Sequence, residues 1–223
     1  MSGIGTALGN IRSTLPTRVE LVAVSKFHPT DAIREAYDAG QRIFGESRIN
    51  ELCDKITVLP DDIQWHFIGH LQTNKVRKLI GTRRIALIES IDSERLLRLV
   101  DEESARIGIV SRVLLQVHVA QEETKFGFLP DELLDFFRCR AFESLKATHI
   151  CGIMGMASNT DDNTRVAADF RQIAGLKKQI DTLCPDLRGF DIISMGMSHD
   201  YQLAIEAGST HVRIGTAIFG ERS

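Results

Sequence analysis

The sequence predicts an α/β fold in one domain, a (β/α)8 TIM barrel that spans residues 1–223. Eight short apolar segments with strand character recur along the chain, and nearly all are followed by a helical pattern. The chain's 223 residues suit a compact barrel, and no Pro- or Ser-rich linker divides them. An open doubly wound sheet is the alternative. It would place a glycine-rich fingerprint after the first strand, and residues 25–29 do not form one.

The first half of the chain supplies four strand-helix units. We expect residues 1–15 to form a helix that precedes the barrel and ends at Pro16. Residues 19–24 are almost all apolar, a pattern typical of a parallel strand buried on both faces. A helix should begin at Pro29 and end at Gly40. The next strands are predicted at 42–44, 64–68 and 84–88, with helices at 46–59, 73–80 and 93–106.

The second half repeats this order. Strands are predicted at 110–117, 147–152, 190–193 and 210–212, and helices at 130–140, 163–180 and 199–207. Ser198 is the predicted N-cap of the helix at 199–207, because a serine hydroxyl can accept a hydrogen bond from the first helical turn. Gly215 and Thr216 open a last helix.

Composition narrows the class of function. The net charge is −3, and the densest basic cluster (residues 75–84) is best explained as a solvated helix face, so no nucleic-acid partner is expected. The four scattered cysteines indicate reduced thiols. The sequence has neither a secretory signal nor an apolar run long enough to span a membrane. We therefore expect a cytoplasmic monomer without a membrane partner.

In a barrel, chemistry collects at the carboxyl ends of the strands. The residues at those predicted ends are Lys26, Gly45, Glu46, Gly69, His70, Ser90, Asp92, Lys125, Met154, Gly155 and the segments 194–198 and 213–216. Lys26 follows five apolar or small residues, so its amine emerges beside a dry core, where it could act as a nucleophile toward a carbonyl group. The alternative is a strand-end lysine that extends to solvent.

The segment 191–220 has a pattern that indicates a phosphate-binding site. Gly196 and Ser198 form one turn before a predicted helix, and Gly215 and Thr216 form another. Two adjacent helix starts with hydroxyl residues favour an anion, and Arg213 should direct its guanidinium to the same place. Ordinary glycine turns and caps are the alternative interpretation.

The histidines in strands do not indicate a metal site. His66, His118 and His149 are scattered, and no acidic partner recurs near them. Core or barrel-interior histidines explain them better, and no metal is expected.

Five motifs carry a resemblance to a known family. They are Ala23-Val-Ser-Lys26, Phe44-Gly-Glu46, Trp65-His-Phe-Ile-Gly-His-Leu-Gln72 with Asn74-Lys75, Ser194-Met-Gly-Met-Ser198, and Val212-Arg-Ile-Gly-Thr-Ala-Ile-Phe-Gly220. Over nearly its whole length the chain resembles the YggS/PROSC family of pyridoxal 5'-phosphate homeostasis proteins. The last two motifs together are highly specific.

The resemblance implies a fold type III barrel, similar to the N-terminal domain of alanine racemase, with pyridoxal 5'-phosphate as its cofactor. By the family pattern, Lys26 holds the cofactor as a Schiff base. Ser198 and the backbone amides of Gly215 and Thr216 would hold the phosphate.

The resemblance also assigns the ring side of the site. Arg213 stands where the related racemases face the pyridine nitrogen, and Ser194 and Met197 of the neighbouring motif are included among the cofactor-binding residues. An arginine does not readily take a proton, so the ring nitrogen would stay largely unprotonated and the ring would be a poorer electron sink.

Three positions depart from the family pattern. His28 replaces a frequent second lysine, Ser47 replaces the asparagine of Gly-Glu-Asn, and His118 replaces the asparagine that commonly ends the fifth strand. These changes put in doubt any role of a secondary lysine and ring contacts from that side.

The sequence leaves three functions open. The first is a non-catalytic protein that stores, buffers or delivers pyridoxal phosphate, with apo-enzymes as candidate partners and no catalytic residue. The second is a weak amino-acid racemase, which needs a second base. The racemases take that base from a tyrosine of a C-terminal domain, whereas this chain ends at Ser223 and offers only Tyr37 and Tyr201. The third is an aldolase-like barrel, for which Lys26 comes too early.

Overall fold

A computed structural model, which describes residues 3–120 and 126–221, confirms the predicted closed barrel. Eight parallel strands pair in chain order, and the eighth pairs with the first. Lys125, one of the predicted strand-end residues, lies outside the described residues.

The strands are short and the helices surround them. The strands are β1 (Glu20–Val24), β2 (Ile43–Glu46), β3 (Gln64–Phe67), β4 (Ile85–Ile91), β5 (Ser111–Val117), β6 (Thr148–Gly155), β7 (Ile192–Ser194) and β8 (His211–Ile214). The helices are α1 (Gly3–Thr14), α2 (Thr30–Asp38), α3 (Ile49–Ile56), α4 (Val76–Gly81), α5 (Glu94–Arg106), α6 (Pro130–Arg138), α7 (Asn163–Leu183), α8 (Tyr201–Glu206) and α9 (Thr216–Phe219).

Several element boundaries differ from the sequence prediction. β4 and β6 each extend three residues beyond their predicted ends, because polar and glycine residues there are buried in the barrel instead of forming loops. Glu46 ends β2 and does not belong to the following helix, which begins at Ile49. The prediction that Ser198 caps α8 was wrong: the N-cap position is Asp200, and Ser198 lies in the preceding turn.

The apolar core has two parts. The larger part lies between the strands and the helices and includes Phe44, Trp65 and Phe137. The smaller part contains Leu87, Leu114, Cys151 and Met154. We place it inside the barrel, because these positions alternate with those that pack against helices. The inside of the barrel is thus partly apolar.

The described residues contain neither a membrane-spanning helix nor a candidate metal cluster. No helix in them has both the length and the apolar content that crossing a membrane requires. Within the same residues, no cluster of three or more histidine, cysteine or acidic side chains could hold a metal ion. All four cysteines are free thiols, as the sequence predicted.

Candidate functional site

The ends of β1 and β8 bring Lys26 next to the glycine turn at residue 215. The two strands pair in parallel, with Ala23 opposite Ile214. Gly215 packs so closely on β1 that an added β-carbon would lie 3.1 Å from the carbonyl oxygen of Val24. Lys26 follows two residues later and is half-buried. The lysine and the Gly215 turn therefore share one rim of the barrel.

The turn after β7 meets the same rim. Ser198 Oγ accepts a hydrogen bond from the Gly215 N–H at 3.4 Å, and so links the two turns. Thr216 is exposed at the first position of α9, where a backbone N–H has no acceptor within the helix. The structure thus brings the turns that carry Ser198, Gly215 and Thr216 to the rim of the barrel that carries Lys26.

Gly196 makes the sharp bend that sends Ser198 to the rim. Its φ is +95°, and an added β-carbon would lie 2.6 Å from the β-carbon of Ala204, so only glycine fits. The Met197 N–H donates to Asp200 Oδ1 at 2.5 Å, and the Met197 carbonyl accepts from the Tyr201 N–H at 2.9 Å. The backbone of Met197 is therefore used within the turn, and its half-buried side chain remains for contacts at the rim.

Arg213 does not reach the glycine turns as the sequence predicted. Its guanidinium lies inside the barrel, where Nη1 donates to Ser194 Oγ at 2.6 Å and Nη2 donates to the Gly155 carbonyl at 3.0 Å. Ser194 Oγ in turn donates to Glu89 Oε2 at 2.6 Å. Arg213, Ser194 and Glu89 are all buried. Acceptors within the barrel hold the guanidinium, and Ser194 acts as a bridge between its two charged neighbours.

Sequence reasoning missed Glu89 and misjudged His66. His66 Nδ1 lies 2.6 Å from Glu89 Oε1, so this histidine does have an acidic partner. Burial acts to raise the pKa of Glu89, but the His66 hydrogen bond and the charges of His66 and Arg213 outweigh it and lower that pKa from 4.5 to about 2. Burial lowers the pKa of the Arg213 guanidinium, and Glu89 opposes that effect. The available signal was a glutamate, followed by Ser90, directly after the predicted strand at residues 84–88.

A cleft lies beside the rim, next to β2 and β3. It has a volume of about 510 Å3 and is lined by residues 47–51 together with His70, Gln72 and Lys75. His70 stacks on Phe126 with ring centroids 3.7 Å apart, and His70 Nδ1 lies 3.1 Å from Asp92 Oδ2. These contacts fix the segment Gly69–Lys75 on the carboxyl face of the barrel.

Comparisons with known proteins identify the family of the chain. The family model described as alanine racemase, N-terminal domain, matches residues 7–223. A pyridoxal phosphate homeostasis protein of Schizosaccharomyces pombe is 39% identical, over 100% of this chain and 94% of the relative. One of Vibrio cholerae is 41% identical, over 92% of this chain and 86% of the relative. The chain belongs to the pyridoxal phosphate homeostasis protein family.

Solved structures give the same family and a wider fold group. PipY of Synechococcus elongatus PCC7942, solved with PLP bound, is 37% identical with a TM-score of 0.89, over 97% of this chain and 100% of PipY. Alanine racemase from E. faecalis has a TM-score of 0.73 but only 16% identity, over 98% of this chain and 58% of the racemase. The racemase likeness therefore concerns the fold alone.

The positions that depart from the family pattern lie around the rim. The His28 ring stacks on Phe219 of α9, with ring centroids 4.9 Å apart. Ser47 lines the cleft beside β2. His118 follows β5, and its N–H donates to the Phe128 carbonyl at 2.9 Å.

Both tyrosines of the chain are bound elsewhere. Tyr37 Oη donates to Asp62 Oδ1 at 2.7 Å. Tyr201 Oη lies 3.1 Å from Thr14 Oγ1 of α1, the helix that precedes the barrel. Each hydroxyl is thus engaged by a side chain outside the strand-end segments that carry Lys26, Ser198 and Gly215.

Proposed function

We propose that this chain binds pyridoxal 5'-phosphate as a Schiff base on Lys26 and stores, buffers or delivers it within the cell, without robust catalysis of its own. One observation carries the proposal. Lys26 shares a rim of the barrel with the linked turns of Ser198 and Gly215, and these turns supply hydroxyl and amide donors. The family membership of the chain supports the same conclusion.

The residues of the rim fit the chemical groups of this cofactor. An aldehyde calls for an amine, which Lys26 offers. A phosphate calls for hydrogen-bond donors, which the hydroxyl groups of Ser198 and Thr216 and the Thr216 N–H would offer, with the Gly215 N–H holding Ser198 in place. When bound, the cofactor acts as an electron sink for amino acids. Arg213, on the ring side, would keep the pyridine nitrogen unprotonated and so weaken that sink.

Two assigned residues have more limited roles in this proposal. Ser194 is buried between Glu89 and Arg213, so it would hold the guanidinium in place and support the ring side of the site through it. Met197 would contribute its side chain, because its N–H and carbonyl are used within the turn.

Absorbance and borohydride trapping test the Schiff base. Protein loaded with pyridoxal phosphate should show a violet-region imine band, and borohydride should abolish that band and leave a pyridoxyl mass on Lys26. The variant Lys26→Ala should show no band. Lys78→Ala, which removes an exposed lysine bonded to Asn50, should behave as the wild type. A protein that stays colourless, or a pyridoxyl mass on another lysine, would contradict the assignment.

Binding measurements test the phosphate role of the two turns. The double variant Ser198→Ala with Thr216→Val should bind pyridoxal phosphate about 100-fold or more weakly, since each of the two lost bonds to a charged group is worth ~1.5–3 kcal/mol and each 1.4 kcal/mol is a factor of ten. Its affinity for pyridoxal, which lacks the phosphate, should change little. The control is Thr182→Val, whose hydroxyl bonds to Lys178 on α7. An equal loss of affinity for both ligands would argue against a phosphate site here.

Weak racemisation is the second candidate, favoured by the likeness to the fold of alanine racemase. Racemisation needs an acid or base on each face of the α-carbon. Tyr37 and Tyr201 are bound elsewhere. We expect the loaded protein to convert L-alanine into D-alanine at trace rates, far below the ~1–1000 s⁻¹ of ordinary enzymes. A rate within that range would favour the racemase.

Transfer to an apo-enzyme tests the homeostasis role. Loaded protein mixed with an apo form of a pyridoxal phosphate enzyme should restore its activity. A trap for free cofactor, such as an excess of an aldehyde-scavenging amine, separates direct delivery from release into solution. If activity is not restored with or without the trap, delivery is excluded and storage remains.

A further inference from the structure

Three charged side chains meet between the end of β1 and helix α3. Glu46 ends β2, and Glu51 and Lys55 lie one turn apart on α3. Lys55 Nζ donates to Glu46 Oε1 at 2.7 Å and to Glu51 Oε1 at 2.6 Å. Lys55 is 4% exposed and Glu46 is 0% exposed. The Lys55 ammonium and the Glu46 carboxylate are therefore both shielded from solvent, close to the rim of the barrel.

This cluster holds both peptide groups that flank Lys26. The Ser25 carbonyl, which belongs to the peptide before Lys26, accepts from Lys55 Nζ at 2.8 Å. The Phe27 N–H, which belongs to the peptide after Lys26, donates to Glu51 Oε1 at 2.6 Å. Because peptide groups are planar, fixing one on each side fixes the two backbone dihedrals of the residue between them. The direction of the Cα–Cβ bond of Lys26 follows from those dihedrals.

The side chains of Ser25 and Phe27, on either side of Lys26, are also held by contacts. The Ser25 hydroxyl donates to Glu46 Oε1 at 2.6 Å, which anchors Ser25 on the helix side of β1. β1 ends at Val24, and Lys26 and Phe27 are the central residues of a turn in which the Ser25 carbonyl also accepts from the His28 N–H at 3.1 Å. Phe27 has a left-handed backbone with a φ of 68°, as this turn requires. The Arg48 guanidinium lies over the Phe27 ring, 4.4 Å from its centroid.

Stability alone is a poor explanation for such a cluster. Burying an ion pair has a desolvation cost that its attraction often fails to offset, and well-packed apolar residues would hold α3 to β1 at least as well. Glu46 Oε2 is buried and has no hydrogen-bond partner within the described part of the chain. What the charged groups provide, and apolar groups could not, is directional hydrogen bonding to the backbone around Lys26.

We propose that Glu51 and Lys55 are positioning residues for Lys26, which hold the peptide groups on either side of it so that its amine is presented at the rim of the barrel. This inference rests on the proposed function, because it takes Lys26 as the amine that reacts with a carbonyl group. Glu51 and Lys55 do not touch the reacting atoms themselves.

Two readouts test the positioning role. The first is acetylation of the Lys26 amine by acetic anhydride across a range of pH, without pyridoxal phosphate, mapped by mass spectrometry. The second is the rate constant for formation of the imine band after pyridoxal phosphate is added. The variants are Lys55→Met, Glu51→Ala and Glu51→Gln. The control is Lys177→Met, which removes the lysine of another i,i+4 pair, with Asp181, on α7.

We expect Lys55→Met and Glu51→Ala to slow imine formation about tenfold or more, because a misplaced nucleophile loses its reactive geometry. Both should also change the pH profile of Lys26 acetylation. Glu51→Gln keeps an acceptor for the Phe27 N–H and should restore most of the rate lost in Glu51→Ala. Lys177→Met should match the wild type in both readouts.

The outcomes separate this inference from the proposed function. Folded variants that acetylate and form the imine as the wild type does would overturn the positioning role. If Lys55→Met does not fold, the comparison of Glu51→Ala with Glu51→Gln decides. If the wild type forms no imine, the proposed function is wrong. The acetylation profiles, which involve no cofactor, then decide alone, and unchanged profiles overturn the inference.

Discussion

Arg213 depends on Glu89 for its place in the barrel. The guanidinium donates to Ser194 and to a carbonyl of β6, and Glu89 Oε2 lies 3.8 Å from Nη1. A buried cation without a compensating charge is costly, so the carboxylate is what allows arginine at this position. The same carboxylate binds His66 from the other side. The proposed ring side of the site therefore relies on a residue that would not touch the cofactor.

The variant Glu89→Gln tests this dependence. It keeps the side-chain shape but leaves Arg213 buried without its counter-charge, so we expect the free energy of unfolding to fall by about 3 kcal/mol. Glu94→Gln is the matched control, because Glu94 pairs with Arg98 on the surface and should contribute less than about 1 kcal/mol. Urea unfolding monitored by circular dichroism measures both. Equal effects of the two variants would contradict the argument.

At the scale of elements, the sequence predicted what depends on local pattern. Apolar runs located all eight strands, since a strand buried on both faces must be apolar almost throughout. The extensions of β4 and β6 were missed because Glu89, Ser90 and Gly155 look like loop residues, and only contacts across the barrel explain their burial. The rim that joins Lys26 to Gly215 followed from barrel topology. The direction of the Arg213 guanidinium did not follow from topology, since it depends on acceptors from three other strands.

β6 contains a glycine that its neighbour requires. Gly152 has a φ of +152°, and an added β-carbon would lie 1.9 Å from the Ile192 carbonyl of β7. Gly152→Ala must therefore push the two strands apart, and we expect it to destabilise the fold by about 3 kcal/mol or more. Gly175→Ala on α7 is the control. It meets no atom within 4 Å and should stabilise the helix by up to about 1 kcal/mol.

Thermal unfolding of both glycine variants provides the measurement. A lower melting temperature for Gly152→Ala and an equal or higher one for Gly175→Ala is the expected pattern. If Gly152→Ala melts as the wild type does, then β6 and β7 can separate at this point without cost, and the close approach is not a constraint on the barrel.

At the scale of the whole molecule, the interior of the barrel contains a row of ionisable side chains. His211, at the start of β8, has its ring centroid 6.2 Å from that of His66, and Glu89 links His66 to Ser194 and Arg213. Burial lowers the pKa of His211 to about 4, with Glu89 opposing this shift and nearby cations adding to it. These groups hold protons differently in the folded and unfolded chain, so the stability of the molecule must depend on pH.

The sign of that dependence follows from the two pKa shifts. Between pH 6.5 and about 4 the unfolded chain protonates His211 and the folded chain does not, so stability falls as the pH is lowered through this window. Between pH 4.5 and about 2 the unfolded chain also protonates Glu89, and further stability is lost. The His211 shift alone corresponds to about 3 kcal/mol.

His211→Gln should remove the dependence of stability on pH between pH 6.5 and 4, whereas replacing the exposed His149 by glutamine should leave it intact. Urea unfolding at intervals from pH 8 to 4 measures the slopes, and an undiminished slope in His211→Gln would show that another group titrates in this window.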